Sequence, residues 1–128
     1  MFRKAVGAVG FAAVLTMGVS VAQAEGDAAA GEKVFKKCKA CHVIDSEKNR
    51  LGPHLIGLFG RAAGSVDGFK YSKAMAGSGI TWDETTLDAY LADPKGYIPK
   101  NKMAFPGLKK DADRANIIAY LKEATAGS

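Results

Sequence analysis

The chain has 128 residues, a formal charge of +5 at pH 7 and 48% apolar residues, which suits one compact soluble domain and excludes a multidomain machine or a disordered segment. Its two cysteines are too few for a disulfide-rich scaffold. The longest apolar run, from Ala5 to Leu15, is shorter than the ~18 residues that a spanning helix needs, which excludes a polytopic membrane protein.

The first 24 residues have the composition of a secretory signal peptide. Two basic residues precede the apolar stretch that ends at Leu15, and small residues then lead to Ala22-Gln23-Ala24, an A-x-A cleavage pattern. We therefore predict cleavage after Ala24, one domain over residues 25–128 and a periplasmic location. The alternative is an uncleaved membrane anchor. The short apolar region, and the helix-forming sequence directly after it, argue against that alternative.

A first helix is predicted over residues 28–35, with Asp27 as its N-cap. Gly31, Val34 and Phe35 share one face of this helix, and the same spacing extends to Cys38. The helix therefore leads directly into the segment that carries both cysteines.

Three further helical segments are expected along the chain. The first is a short helical turn over 71–76. The second is a helix that begins at Thr81, in a capping-box pattern, and is stopped by Asp93-Pro94. The third is a helix that is capped by Asp111 and runs to about Ala124. No segment alternates between polar and apolar residues, so the predicted fold is all-α.

The segments 43–70 and 94–110 show little helical pattern. Connections of this length are unusual in a compact domain unless something inside organises them. A chain of about a hundred residues also has a small core for its surface. Both facts predict a large buried group, around which a few helices and long loops would wrap.

The segment Cys38-Lys39-Ala40-Cys41-His42 matches the C-x-x-C-H site for covalent c-type haem. Each thiol can add to one vinyl group as a thioether, and the adjacent imidazole can ligate the iron. The alternatives are a small disulfide loop, a dithiol redox motif and a zinc site that would also need His54. A dithiol motif should sit near a βαβ pattern, and zinc needs about four ligands, so haem is favoured.

A second axial ligand decides whether the iron is open to small molecules or restricted to electron transfer. Met103 is the candidate, because it lies in a proline-flanked loop without helical periodicity and offers a soft thioether. Spacing alone leaves a core methionine as an equal alternative. The rival ligand is His54, which we expect instead to be a surface or loop histidine because it directly follows Pro53.

These residues resemble class I cytochrome c, specifically the bacterial cytochrome c2 type that is similar to mitochondrial cytochrome c. The likeness covers nearly all of residues 31–122. Besides C-x-x-C-H it includes Leu51-Gly52-Pro53, Gly57-Leu58-Phe59-Gly60-Arg61, Gly68-Phe69-Lys70-Tyr71-Ser72, Gly79-Ile80-Thr81-Trp82, Tyr97-Ile98-Pro99 and Lys102-Met103-Ala104-Phe105-Pro106-Gly107.

The resemblance implies a cytochrome c fold around one haem c bound through Cys38 and Cys41, with His42 and Met103 as iron ligands. It further implies that the Pro53 carbonyl accepts a hydrogen bond from His42, that Gly31 lets the terminal helices cross beside Tyr120, and that other residues line the cofactor. Tyr71, Trp82 and indirectly Arg61 would serve the propionates, Tyr90 would approach the Met103 sulfur, and Phe105 would shield the haem edge.

Two positions depart from the family pattern. Met75 replaces a polar amide that is common beside the propionates, which puts the hydrogen-bond network there in doubt. Asn101 stands where a threonine is frequent, and we expect it to supply a donor to the cofactor with a different reach.

The function implied is a one-electron carrier, not an enzyme, and a monomer that does not bind nucleic acid. A quinol-oxidising cytochrome complex is the expected donor, and a terminal oxidase, photosynthetic reaction centre or periplasmic reductase the expected acceptor. Acidic patches on these partners would dock on a basic haem-edge face formed by Lys36, Lys37, Lys39, Lys95, Lys100, Lys102, Lys109 and Lys110. A peroxidase-type enzyme or gas sensor is the alternative, and it would need an open sixth iron position.

Overall fold

The structure is a computed structural model that describes residue 10 and residues 26–126. The predicted signal peptide and its cleavage site therefore lie outside the described residues, residue 10 excepted. Five helices follow one another along the described chain: α1 (Ala28–Phe35), α2 (Lys73–Ala76), α3 (Glu84–Ala92), α4 (Pro94–Tyr97) and α5 (Asp111–Ala124).

The predicted all-α class is confirmed. The described residues contain no sheet, and their one extended pairing is an isolated bridge between Ala62 and Thr81. Long loops connect the helices, most of all between α1 and α2. None of the described helices combines the length and the apolar character needed to cross a bilayer.

The first helix begins as predicted. The Asp27 carboxylate accepts hydrogen bonds from the amides of Ala29 and Ala30, two of the donors that a helix start leaves unpaired. The Asp27 amide itself donates to the side chain of Asn116 in α5 at 2.8 Å. The start of α1 is thus tied to the C-terminal helix, 89 residues further along the chain.

Helices α1 and α5 pack closely at Gly31, as the family resemblance implied. A Cβ built on Gly31 would overlap the backbone carbonyl of Asn116 and would lie 2.8 Å from the Tyr120 Cβ. The rings of Phe35 and Tyr120 lie beside this crossing with their centroids 5.6 Å apart. The missing side chain is therefore what allows the two helices to approach.

The predicted start of α3 at Thr81 is wrong by three residues. The helix begins at Glu84, and Asp83 is its N-cap. Asp83 and Thr86 form a capping box: the Asp83 carboxylate accepts the Thr86 amide at 2.8 Å, and Thr86 Oγ1 accepts the Asp83 amide at 2.9 Å. Thr81 lies outside the helix: it pairs with Ala62 in the isolated bridge, and its carbonyl accepts the Thr86 hydroxyl at 2.8 Å. The pairing with Ala62 is distant in sequence, and a local pattern does not reveal it.

Helix α4 was not predicted. Asp93 ends α3 as expected, but its carboxylate also accepts the Gly96 amide at 3.1 Å and so caps a new four-residue helix. Pro94 stands at the first position of that helix, where its missing N–H is tolerated. The short turn predicted at 71–76 is observed as α2, with Ser72 as its N-cap.

Helix α5 ends at Ala124 as predicted, but Asp111 is its first residue and not its cap. The side chain of Asp111 instead forms an ion pair with Arg114, which also donates to Asp88 Oδ1 at 2.8 Å and to the Leu108 carbonyl at 2.7 Å. Arg114 is buried and joins α3, α5 and the loop between α4 and α5. Its charge is acceptable there because each bond ends on a carboxylate or carbonyl oxygen.

One apolar core connects these elements. Its buried members include Phe35 from α1, Leu87, Tyr90 and Leu91 from α3, Ile117, Ile118 and Leu121 from α5, and the loop residues Leu58, Trp82, Ile98 and Leu108. Cys38, Met75, Met103 and Phe105 are partly buried and pack against this core. The cysteine segment and the methionine loop therefore share one apolar interior.

A Gly31→Ala substitution is expected to lower the free energy of unfolding by about 1–3 kcal/mol, because the added methyl group forces α1 and α5 apart. Helix propensity alone would have the opposite sign, since alanine favours an isolated helix over glycine by about 1 kcal/mol. Denaturant unfolding of the two proteins distinguishes the two effects. An unchanged or higher stability in the variant would contradict the close crossing.

Candidate haem site

Both cysteines lie in turns that continue directly from α1. The amide of Cys38 donates to the Phe35 carbonyl at 2.8 Å, and the amides of Cys41 and His42 both donate to the Cys38 carbonyl, at 3.1 and 3.0 Å. The two thiols are half-buried. Burial and the neighbouring Cys41 raise the pKa of Cys38 to about 11, so this group is a neutral thiol at pH 7.

The imidazole of His42 is oriented by one hydrogen bond. Its Nδ1 donates to the Pro53 carbonyl at 2.7 Å, which is the bond that the resemblance implied. Burial lowers the pKa of His42, with the bond to Pro53 opposing this shift and Arg61 adding to it. The ring is therefore neutral, with Nδ1 protonated and the lone pair on Nε2 available to a metal.

Gly52 makes room for this ring. A Cβ built on Gly52 would lie 2.8 Å from Nδ1 and 2.9 Å from Nε2 of His42. The Gly52 amide donates to the Cys41 carbonyl at 2.9 Å, so the backbone before Pro53 lies directly against the cysteine segment. We did not predict this role for Gly52, although it stands beside Pro53 in the Leu51-Gly52-Pro53 motif.

The sulfur of Met103 faces the hydroxyl of Tyr90, which donates to it at 3.7 Å. Tyr90 is 6% exposed, and burial raises its pKa to about 12, so the hydroxyl keeps its proton over the physiological range. The Tyr90 ring packs against Trp82 with centroids 5.1 Å apart. Tyr90 therefore lies beside the Met103 sulfur, and its part in a haem site stays a prediction.

The Asn101 side chain is engaged by the backbone of its own loop. Its amide nitrogen donates to the carbonyls of Pro94 and Ile98, at 2.8 and 2.9 Å, and its oxygen accepts the Met103 amide at 2.8 Å. The expected contact between Asn101 and the cofactor stays a prediction.

The three residues predicted to serve the propionates are all at least half-buried, and their contacts with the cofactor stay predictions. Trp82 is buried, and the Tyr71 hydroxyl accepts the Val66 amide at 3.1 Å. Arg61 Nη1 donates to two backbone carbonyls of the segment before it, those of His54 at 3.0 Å and Ile56 at 3.2 Å. Burial lowers the pKa of Arg61. Phe105, predicted to shield the haem edge, is half-buried against the core.

His54 lies in a loop, which is one of the two placements expected of it, but it is buried and not on the surface. His54 is 8% exposed, its Nδ1 accepts the Ile56 amide at 3.2 Å, and its own amide donates to Asn49 Oδ1 at 3.0 Å. The side-chain nitrogen of Asn49 also donates to the Asp67 carbonyl at 3.1 Å, so Asn49 joins His54 to a later part of the same loop. Asn49 was not singled out, because only the folded loop brings its partners together.

These residues fit the haem that the C-x-x-C-H segment implies. Two thiols lie in the turns that follow α1, a neutral imidazole beside them presents an unprotonated nitrogen, and Gly52 leaves space for its ring. A thioether in the apolar interior provides a second soft donor. Within residues 26–126 no cluster of three or more histidine, cysteine or acidic side chains could hold a separate metal ion.

Comparison with known proteins gives consistent matches. A family model described as Cytochrome c matches residues 28–125. Cytochrome c2 iso-2 of Magnetospirillum fulvum is 60% identical over 88 residues, which cover 69% of this chain and 92% of that protein. Cytochrome c of Chlamydomonas reinhardtii is 55% identical over 103 residues, or 79% and 92% of the two chains. The solved structure of cytochrome cH from Methylobacterium extorquens superposes with a TM-score of 0.73 at 50% identity, covering 77% of this chain and 99% of that chain.

A Gly52→Ala substitution is expected to push the His42 ring away from the Pro53 carbonyl. The backbone of Gly52 is outside the left-handed region, so the effect is one of space and not of backbone strain. We expect the free energy of unfolding to fall by about 1–3 kcal/mol and the reduction potential to change, since the bond sets the basicity of the imidazole.

Denaturant unfolding and a redox titration measure these two effects. Leu51→Ala is the control, because Leu51 is adjacent in the chain but 82% exposed and should alter neither quantity appreciably. If Gly52→Ala matched Leu51→Ala in both measurements, the spatial constraint on His42 would be refuted.

Proposed function

The chain belongs to the cytochrome c family and is an electron carrier, and on this basis we propose that it shuttles single electrons in the periplasm on a haem ligated by His42 and Met103. The family predicted from the sequence is confirmed, as is one haem c bound covalently through Cys38 and Cys41. Its relatives are electron-transfer proteins and not enzymes, which confirms that prediction too. The zinc, disulfide and dithiol interpretations of the cysteine pair are thereby excluded.

The haem, when bound, supplies an iron that accepts and returns one electron. The protein contributes the ligands and their surroundings. The Met103 thioether and the His42 imidazole would hold the iron, and a thioether ligand would favour the reduced iron and raise the potential. The bond between His42 and Pro53 holds one ligand in place, and the contact of Tyr90 with Met103 supports the other. This pair of contacts is the observation that carries the proposal.

Exclusion of water supports the same function. Trp82, Tyr90 and Ile98 are each at most 6% exposed, and Phe105 packs against the same core. An apolar setting disfavours the additional charge of oxidised iron, and close packing keeps the geometry similar in both oxidation states. If His42 and Met103 both ligate the iron, as proposed, the peroxidase and gas-sensor alternatives are disfavoured, because they require an open ligand position.

The basic haem-edge face supports docking to acidic partners. All eight of its lysines are exposed. Two of them form hydrogen bonds that hold their side chains near Met103. Lys95 Nζ donates to the Met103 carbonyl at 3.4 Å, and Lys102, the residue before Met103, donates through Nζ to the Lys70 carbonyl at 3.3 Å. Charge held beside Met103 would orient an acidic partner towards the haem and accelerate the encounter.

The proposed setting is the periplasm, reached after cleavage near Ala24. The A-x-A pattern supports this location, and the cytochrome c2 of Magnetospirillum fulvum is a bacterial relative. We propose that the protein acts as a monomer, with a quinol-oxidising cytochrome complex as donor and a terminal oxidase, photosynthetic reaction centre or periplasmic reductase as acceptor.

A Met103→Ala substitution is expected to leave the covalent haem in place, lower the reduction potential and open the iron to small ligands. The measurement is a redox-titrated visible spectrum that includes the weak far-red band reporting sulfur-to-iron ligation. Met75→Ala is the matched control, because Met75 packs against the same core and is not the proposed ligand. An unchanged potential and spectrum in Met103→Ala would rule out the ligand assignment.

Rates of electron transfer to an acidic partner are expected to fall as salt rises, with Lys37→Glu and Lys102→Glu causing larger losses than Lys122→Glu. Lys122→Glu is the control, because it makes the same charge change outside the basic face. It also removes the ion pair between Lys122 and Glu84, which is exposed and contributes little stability. Stopped-flow kinetics at several ionic strengths measure the effect. A rate limited by encounter but indifferent to salt would refute the docking face.

A further inference from the structure

We propose that Asn101 is a positioning residue that retains the Met103 sulfur on the iron by fixing the backbone of the methionine loop. The inference rests on the proposed ligation by Met103. It assigns to Asn101 a role beyond the expected cofactor contact, one that follows from the bonds of its side chain to the protein backbone.

The bonds of Asn101 join three parts of one loop. Its amide nitrogen donates to the carbonyl of Pro94, at the start of α4, and to that of Ile98, which follows the end of α4. Its oxygen accepts the amide of Met103, two residues further on. The side chain is 5% exposed, so water cannot easily replace these partners. One buried amide thus connects α4 to the backbone of the proposed ligand.

The turn that leads to Asn101 is strained. The Asn101 amide donates to the Ile98 carbonyl at 3.2 Å, closing a four-residue turn with Pro99 and Lys100 in its centre. Lys100 has a φ of 68°, and it is the one non-glycine residue with positive φ in residues 26–126. This region favours glycine, and a lysine occupies it at an energetic cost. The strained turn needs external restraint, which the three bonds of Asn101 provide.

Loss of these bonds should act on Met103 before the rest of the fold. The Met103 amide would lose its acceptor, the Pro94 and Ile98 carbonyls would lose a donor, and the strain at Lys100 would favour other loop conformations. The opposite ligand would be unaffected, because His42 is held by Pro53 in a separate loop. We therefore expect the sulfur to be displaced more readily by an added ligand.

The experiment compares the holoprotein with its Asn101→Ala, Asn101→Thr and Asn116→Ala variants. Asn116→Ala is the matched control, since it also removes an asparagine side chain that accepts a backbone amide, but at the contact between α1 and α5. Asn101→Thr is the conservative variant, because its hydroxyl can accept one amide and donate to one carbonyl. The measurements are imidazole affinity of the ferric protein, amide hydrogen exchange at Met103 in the ferrous protein, and denaturant unfolding.

We expect Asn101→Ala to raise imidazole affinity about ten- to a hundred-fold and to accelerate exchange of the Met103 amide, with Asn101→Thr intermediate. Asn116→Ala should lower stability while leaving both of those quantities at their parental values. If Asn101→Ala lost stability but kept parental imidazole affinity and Met103 exchange, the positioning role would be overturned. Imidazole affinity raised as much in Asn116→Ala as in Asn101→Ala would overturn it as well.

Failure of the ligand assignment has a different signature. In that case the parental ferric protein would lack the far-red sulfur band, and imidazole affinity would not respond to Met103→Ala. Exchange at the Met103 amide would still report whether Asn101 holds the loop. The remaining case is a parental protein that shows the far-red sulfur band. If imidazole then displaced the sulfur no more easily in Asn101→Ala than in the parent, only the role of Asn101 would be overturned.

Discussion

The hydrogen bond from the His42 ring to the Pro53 carbonyl is the interaction on which the site depends. It joins the cysteine segment to the first long loop, so the position of the loop and the direction of the imidazole are set together. Gly52 allows the two to meet, and its own amide bonds back to Cys41. A loop without regular structure thereby acquires a defined path, because it must pass close to the His42 imidazole, which follows α1 by about two turns.

The opposite side of the site is organised by a different principle. There the sulfur donor lies in a loop held by side chains, with Tyr90 at the sulfur, Asn101 at the backbone and Lys95 at the Met103 carbonyl. Cys38 and Met103, one from each side, pack against the same apolar core. Two independently supported side chains suit the proposed carrier, since neither would need to move when the charge of a bound iron changes.

Sequence patterns predicted the features that depend on neighbouring residues. Asp27 and the end of α3 at Asp93 were found because a cap or a proline acts within one helical turn. The start of α3 was misplaced because Thr81 is engaged by Ala62, and the burial of His54 was missed because its partners come together only in the folded loop. Helix α4 is too short to show periodicity. The proposed iron ligands were predicted by motif and resemblance, whereas the role proposed for Asn101 rests on contacts that only the folded loop creates.

The tie between Asp27 and Asn116 has a consequence for how the protein matures. The first helix buries Gly31 and Phe35 against α5, which is synthesised after every other helix of the described chain. Native closure of α1 therefore cannot begin before α5 has been synthesised. Contacts so distant in sequence slow folding, which leaves an interval in which the two thiols that follow α1 are accessible on the open chain.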